Sequence, residues 1–470
     1  MDGARRLSVG QEAMWFLYRL APESRAYNLV MPVRIRGPLH VPVIARAVEA
    51  VVMRHDLLRS VFVEMDGHPV RLVREPGTVR LDVREVPGTD DGRLRALVRE
   101  ACAAPFLLAD EGPFRAVLLR RSPEDAALVL VAHHIASDAT SLGLLLRDLL
   151  DAYHGLEAAG RPAWSDLPGD YDDYVEGERL LLGSPRRGRL EGYWRDACAG
   201  AAAAELPADL PRPRVSTFNG ATSELRIPDE LGHRLRQAAA EVRVTPFAFL
   251  LSVFQSLLYR HTGQDDSVIG CPSTTRLNPA MRGVVGYFVN PLPLRSRFGA
   301  SVTFRDVALS TGRQVMRGLA NAAYPSVLLP AVLGLPRDAG RSPIYQIAVS
   351  MVAMDRLKVP LPEAVEGESE GSEVEYQGLR LALIDVPQQE GQLDLMVELQ
   401  QNATRWRAVL TYNTDLFERA SIERFASHFG RLVEAAVGNP DGRVADASLM
   451  DQTELERLLA LGTGAVSSAR

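Results

Sequence analysis

Two adjacent histidines, His133 and His134, are followed four positions after the second by an acid, Asp138. Imidazole trades a proton near neutral pH better than any other side chain, so a histidine pair is a candidate general base. A base needs one tautomer and one ring orientation, and a neighbouring carboxylate or carbonyl sets both. The spacing lets a tight turn bring Asp138 back under the His134 ring. A single histidine at a strand end is more often a satisfied structural residue. Two in a row with an acid at this offset shift the balance towards chemistry.

The flanking residues define what must hold that turn. Leu128–Ala132 is a short, unbroken apolar run that reads as a buried strand, and Leu142–Leu150 repeats apolar residues three and four apart, as a helix does. The histidines therefore occupy a strand-to-helix turn. The chain has 470 residues, 46% of them hydrophobic and 24% charged, which fits a globular protein with more than one core. A net charge of -6 argues against a general nucleic-acid binder. No apolar run is long enough to span a membrane, and the N-terminus has no signal-peptide core, so a cytoplasmic location is expected. Cys102, Cys198 and Cys271 are scattered, with no metal-ligand spacing, and read as reduced thiols; no metal site is expected.

Along the chain, helices are expected over Leu7–Leu20, Val41–Arg54, Arg93–Ala103, Leu190–Cys198, Pro228–Val242 and Ser421–Val437, with another following Thr245. Strands are expected over Val30–Ile35, Phe114–Leu119, Ala126–Ala132, Ala221–Ile227, Ser267–Gly270, Tyr345–Met351, Leu393–Gln400 and Trp406–Tyr412. Tyr171–Tyr174 reads as a loop, Ala199–Val215 as a linker, and Lys358–Gln377 as an exposed excursion.

His133-His134-Ile-Ala-Ser-Asp138-Ala139 resembles the HHxxxD motif of the condensation domains of nonribosomal peptide synthetases, members of a superfamily of His-dependent acyltransferases shaped like chloramphenicol acetyltransferase. The resemblance runs from Leu7 onward over about 440 residues. It rests also on Ser8 and Gln11 with Trp15-Phe16-Leu17, on Arg54–Phe62 (RHDLLRSVF), on Tyr171-Asp172-Asp173-Tyr174, on Val285–Asn290 (VGYFVN) and on Arg337–Pro343 (RDAGRSP). Three departures stand out: Ala139 replaces the usual glycine, Pro291 replaces the usual threonine, and Ala322-Ala323 replace a Gln-Asp pair.

The resemblance implies an α/β (α+β) fold of two chloramphenicol-acetyltransferase-like lobes, residues 1–176 and 177–470, in a V-shaped pseudodimer with a central tunnel and a latch crossing between lobes. It implies amide-bond formation between an acyl or aminoacyl thioester, carried on the 4'-phosphopantetheine of a carrier protein, and an amine acceptor. No cofactor would be bound. Donor and acceptor carrier proteins, and neighbouring synthetase domains, would be the partners of a monomeric chain, with no nucleic acid or membrane involved. On this reading His134 deprotonates or orients the nucleophile, His133 shapes the turn, and Asp138 pairs with Arg276. Ala139, Gly286, Tyr287 and Asn290 are expected to contact the substrate or its arm. An ester-forming or free-acceptor relative, and an inactive module that recruits partners, are the alternatives.

Overall fold

The computed structural model describes residues 3–336, 338, 340–353, 373–386, 390–401, 406–452, 454–456 and 459. Arg337 and Ala339 of the RDAGRSP segment, most of Lys358–Gln377, and most of the segment after Thr453 lie outside the described residues.

The strand that carries the histidines, Asp125–His133, is central to a mixed six-stranded sheet. Its neighbours are the antiparallel strands Asn28–Arg36 and Phe114–Ser122, and Leu81–Glu85 adds in parallel beyond the latter. Every residue from Ala126 to Ala132 is at most 2% exposed. Side chains alternate across a strand, so the two faces need two cores. Ala126, Leu128, Leu130 and Ala132 pack with the helices Val41–Arg54 and Ala139–Ala159. Ala127, Val129 and Val131 pack on the other side with the helices Val9–Leu20 and Asp91–Ala103. Burying each valine or leucine contributes about 1.5–3 kcal/mol, which explains the unbroken apolar run.

A second sheet runs in the order 289–297, 266–274, 347–353, 395–401, 406–413 and 220–227, with a third core around it. A small sheet joins Ala4–Arg6, His68–Val73 and Ser60–Met65. The two large sheets are not built from separate halves of the chain. The hairpin Val374–Tyr376/Leu379–Leu383 leaves the second sheet and extends the first, pairing Leu383 with Val33 and Arg380 with Arg36.

Most expected elements are present, with ends moved by a few residues. Two readings are corrected. Tyr171–Tyr174 is not a loop but opens the helix Tyr171–Leu182, because Asp170 caps it and exchanges hydrogen bonds with Asp173. Ala199–Val215 is not a free linker. Ala202–Ala203 pairs with the second sheet, Ala204 is fully buried, and Arg212 forms an ion pair with Asp394.

Candidate functional site

The helix Ala139–Ala159 begins where the strand ends, and Asp138 is its N-cap, accepting from the Ser141 amide at 2.7 Å. A carboxylate here satisfies an orphan helix amide and complements the helix dipole. The same carboxylate accepts from Arg276 Nη2 at 3.1 and 3.3 Å and from the Phe288 amide at 3.3 Å. Both side chains of the Asp138–Arg276 pair are nearly buried, at 5% and 6% exposure. Arg276 also donates to the carbonyls of Met281 and Val284 and, at 2.6 Å, to Ser141 Oγ, while its guanidinium lies 4.0 Å from the Phe288 ring centre. Such a pair is held when further hydrogen bonds satisfy the polar groups around it; here Arg276 Nη1 and Nη2 are engaged, while its Nε is buried without a partner.

This corrects one expectation. Asp138 is turned towards Arg276, and what orients the His134 ring is a backbone carbonyl. His134 Nδ1 lies 2.7 Å from Ser137 O. A carbonyl only accepts, so Nδ1 carries the proton and Nε2 presents its lone pair. The turn itself is a 3₁₀ helix, His134–Ala136, held at both ends: the His134 amide donates to Tyr27 O at 2.8 Å, and Gln11 Nε2 donates to Ile135 O at 2.8 Å. The Tyr287 ring stands edge-on to His134 with centres 5.2 Å apart. Desolvation lowers the His134 pKa below the usual histidine value, against the Ser137 carbonyl and Asp138, which raise it. The ring is therefore neutral at pH 7 and able to accept a proton.

His133 has a different task. It is 4% exposed, among Tyr18, Tyr27 and Phe106. Its Nδ1 accepts from the Ile135 amide at 3.1 Å, and burial pushes its pKa down to about 3. It shapes the turn as a neutral acceptor.

The segment Val284–Phe288 reaches this turn from the second half of the chain. Ser141 Oγ donates to Gly286 O at 2.9 Å and accepts from Gly286 N at 3.1 Å. Tyr171 Oη donates to Tyr287 O at 2.8 Å and lies 3.1 Å from Ser8 Oγ. A Cβ on Gly286 would lie 2.2 Å from the Tyr171 ring, so only glycine fits. Gly286 thus has both polar groups engaged by Ser141. Asn290 is likewise taken: both amide protons go to Ala322 O and Tyr324 O at 2.8 and 2.7 Å, and its oxygen accepts from Ser326 N at 2.8 Å. It fastens the 322–326 segment. Tyr287 stays beside His134, and Ala139 is exposed in the first turn of the helix.

Ser141, Tyr171 and Gln11 hold the turn, yet nothing in the motif itself points to Ser141. Its one local signal is its place three residues after a capping aspartate. Arg54 and His55, in the RHDLLRSVF segment, reach Asp148 on the same helix at 3.0 and 2.9 Å. The thiols of Cys102, Cys198 and Cys271 are buried, and their pKa values are raised to about 12, 11 and 12 by that burial, so they are protonated. Among the described residues no group of three His, Cys, Asp or Glu side chains is placed to hold a metal ion, and no single helix is long and apolar enough to cross a membrane.

The Condensation domain family model matches residues 2–459. Phosphinothricin tripeptide synthetase PhsC of Streptomyces viridochromogenes is 31% identical over 465 residues, covering 97% of this chain and 41% of that protein. The chain spans less than half the length of these curated relatives, which include subunits C and D of linear gramicidin synthase from Brevibacillus parabrevis. The X-domain from teicoplanin biosynthesis, also solved as a complex with OxyB, aligns with a TM-score of 0.83 at 25% identity, covering 94% of this chain and 97% of that one. SgcC5 of Streptomyces globisporus, solved with (R)-(-)-1-(2-naphthyl)-1,2-ethanediol and sucrose, aligns with a TM-score of 0.77 at 25% identity, covering 93% of this chain and 99% of that one.

Proposed function

The chain belongs to the condensation domain family of nonribosomal peptide synthetases, and from that membership we propose that it forms an amide bond between a carrier-bound acyl or aminoacyl thioester and an amine. The observation that carries the proposal is the fixed, neutral His134 with Nδ1–H on Ser137 O and Nε2 left to act. The amine nitrogen attacks the thioester carbonyl, and His134 Nε2 takes the proton that the nitrogen gives up. The tetrahedral intermediate then expels the pantetheine thiolate, which takes that proton back from His134 Nε2 and leaves as the free thiol. Asp138, Arg276 and Ser141 touch no reacting atom; they position the turn. Holding both reactants on tethered arms in one chamber supplies a large part of the rate.

Residues 1–176 and 177–470 form the two lobes of a V on this reading, with a tunnel between them and the hairpin Val374–Leu383 as the latch. Its pairing with the first sheet supports that arrangement. Tyr287, beside His134, and Ala139, at the exposed start of the helix, line the path of the arm. Donor and acceptor carrier proteins and neighbouring synthetase domains are the partners; the chain acts as a monomer in the cytoplasm and needs no bound cofactor.

Two other readings have an observation behind each. The diol in the SgcC5 structure favours an alcohol acceptor and an ester product. The likeness to an X-domain solved with OxyB favours recruitment without catalysis. A panel of acyl thioesters loaded on carrier proteins, offered amines and alcohols and read by mass spectrometry, separates the three. Amide product supports the proposal, ester product moves the assignment to the second reading, and no product with carrier binding retained moves it to the third.

A further inference from the structure

After its excursion onto the first sheet the chain returns to the second through Glu390–Gln392, and there it grips the loop that precedes the strand Asn28–Arg36. Glu390 Oε2 accepts from Ser24 Oγ at 2.7 Å and from the Arg25 amide at 2.6 Å, and its Oε1 accepts from Arg25 Nε at 2.8 Å. Gln392 Nε2 donates to Ala26 O at 2.9 Å. The residue after Ala26 is Tyr27, whose carbonyl accepts the His134 amide at 2.8 Å and whose ring lies 6.4 Å from that of His133. The grip is built from both sides. Glu390 pairs with Asn219 in an isolated bridge, and Gly391 N donates to Phe218 O at 2.8 Å. Gly220 lies so close that a Cβ there would come within 2.7 Å of Gly391 N. Phe218 holds a left-handed backbone, φ 60°, and its ring stands against Tyr27 with centres 6.2 Å apart.

We propose that Glu390 is a positioning residue, a further strap between the two halves of the chain, which fixes the Tyr27 carbonyl and through it the His134 turn. This rests on the acyltransfer reading of that turn. The hairpin Val374–Leu383 joins the two halves at the edge of the first sheet, with the strand Asn28–Arg36 between it and the strand that carries the histidines; the Glu390 strap holds Ser24 and Arg25, two residues before the Tyr27 carbonyl that binds the His134 amide. A carboxylate suits the place because three donors converge on it and it is acceptor-only, with 14% of its side chain exposed. Glutamine keeps the shape but turns an N–H towards one of those donors.

The test compares Glu390→Gln with the wild type by amide hydrogen exchange and by turnover of an acyl thioester. Exchange at residues 24–28 and 133–137 is expected to quicken about tenfold, the loss of a charged hydrogen bond, while the rest of the first sheet stays as it was. The kcat is expected to fall about tenfold with KM unchanged, as for a group that acts on the chemical step. Glu373→Gln, which loosens the hairpin by removing a partner of Arg36 and of Arg380, is expected to leave exchange at 133–137 unaltered. Unchanged exchange at 133–137 in Glu390→Gln, or a uniform rise over the whole chain, would overturn the proposal. Local quickening in a protein whose wild type transfers no acyl group would uphold the strap and remove the acyltransfer reading.

Discussion

Replacing Arg276 with alanine would remove a cation that meets Asp138, Ser141 Oγ and the carbonyls of Met281 and Val284 at once. Breaking a buried ion pair from one side is destabilising by about 3–5 kcal/mol, since the remaining charge stays buried without its partner. Asp138 keeps the Ser141 and Phe288 amides, which places the variant near the lower end. Roughly 3 kcal/mol corresponds to a fall in Tm of about 3–6 °C for a unit of this size, taking ~0.5–1 kcal/mol/K for its unfolding entropy. Urea melts of Arg276→Ala, Asp138→Asn and the double variant Asp138→Asn/Arg276→Ala would measure it. The double variant should lose clearly less than the sum of its parts, because removing both charges leaves neither orphaned. Losses below about 1 kcal/mol that simply add would refute the reasoning, for they would mean that the two side chains do not depend on each other.

Two further predictions concern buried titrating groups. His133, with its pKa held at about 3 by burial, refuses a proton that the unfolded chain accepts near pH 6.5; stability is complete above that pH and declines as pH falls towards 3. His133→Asn, which keeps an acceptor for Ile135 N, should flatten that decline by up to about 1.4 kcal/mol per pH unit in urea melts at pH 4.5 and 7, and an unchanged slope would count against the assignment. Glu178 has the opposite sign. It accepts from Val9 N, and burial raises its pKa to about 7, so its contribution is present below about pH 4.5 and lost as pH rises through 7. Glu178→Gln should gain stability over the wild type at pH 8 and gain little at pH 5; equal differences at both would rule out the buried carboxyl.

The strand, the turn and the helix around His133–Asp138 are legible from local pattern, because burial on both faces imposes an unbroken apolar run and a helix imposes its own period. The pairing of Arg276 with Asp138 came from the family motif, since 138 residues separate them and no periodicity links them. What local pattern misses is any contact that exists only in three dimensions. Ser141 bridges Arg276 and Gly286, Tyr171 holds the Tyr287 carbonyl, and Glu390 grips the loop before Tyr27. Asp138 misled for a related reason. Its offset from His134 suits an imidazole partner, but as a helix cap beside Arg276 its oxygens meet stronger donors, and the nearer Ser137 carbonyl takes the imidazole.

The most direct measurement is single-turnover amide formation on a loaded carrier by the wild type and His134→Gln, with Tm and carrier binding followed in parallel. General-base assistance is worth about 10²–10⁴-fold, so the variant should be slower by at least a hundredfold while its fold and carrier affinity are retained. Equal rates in the two proteins would contradict the claim that His134 carries the reaction.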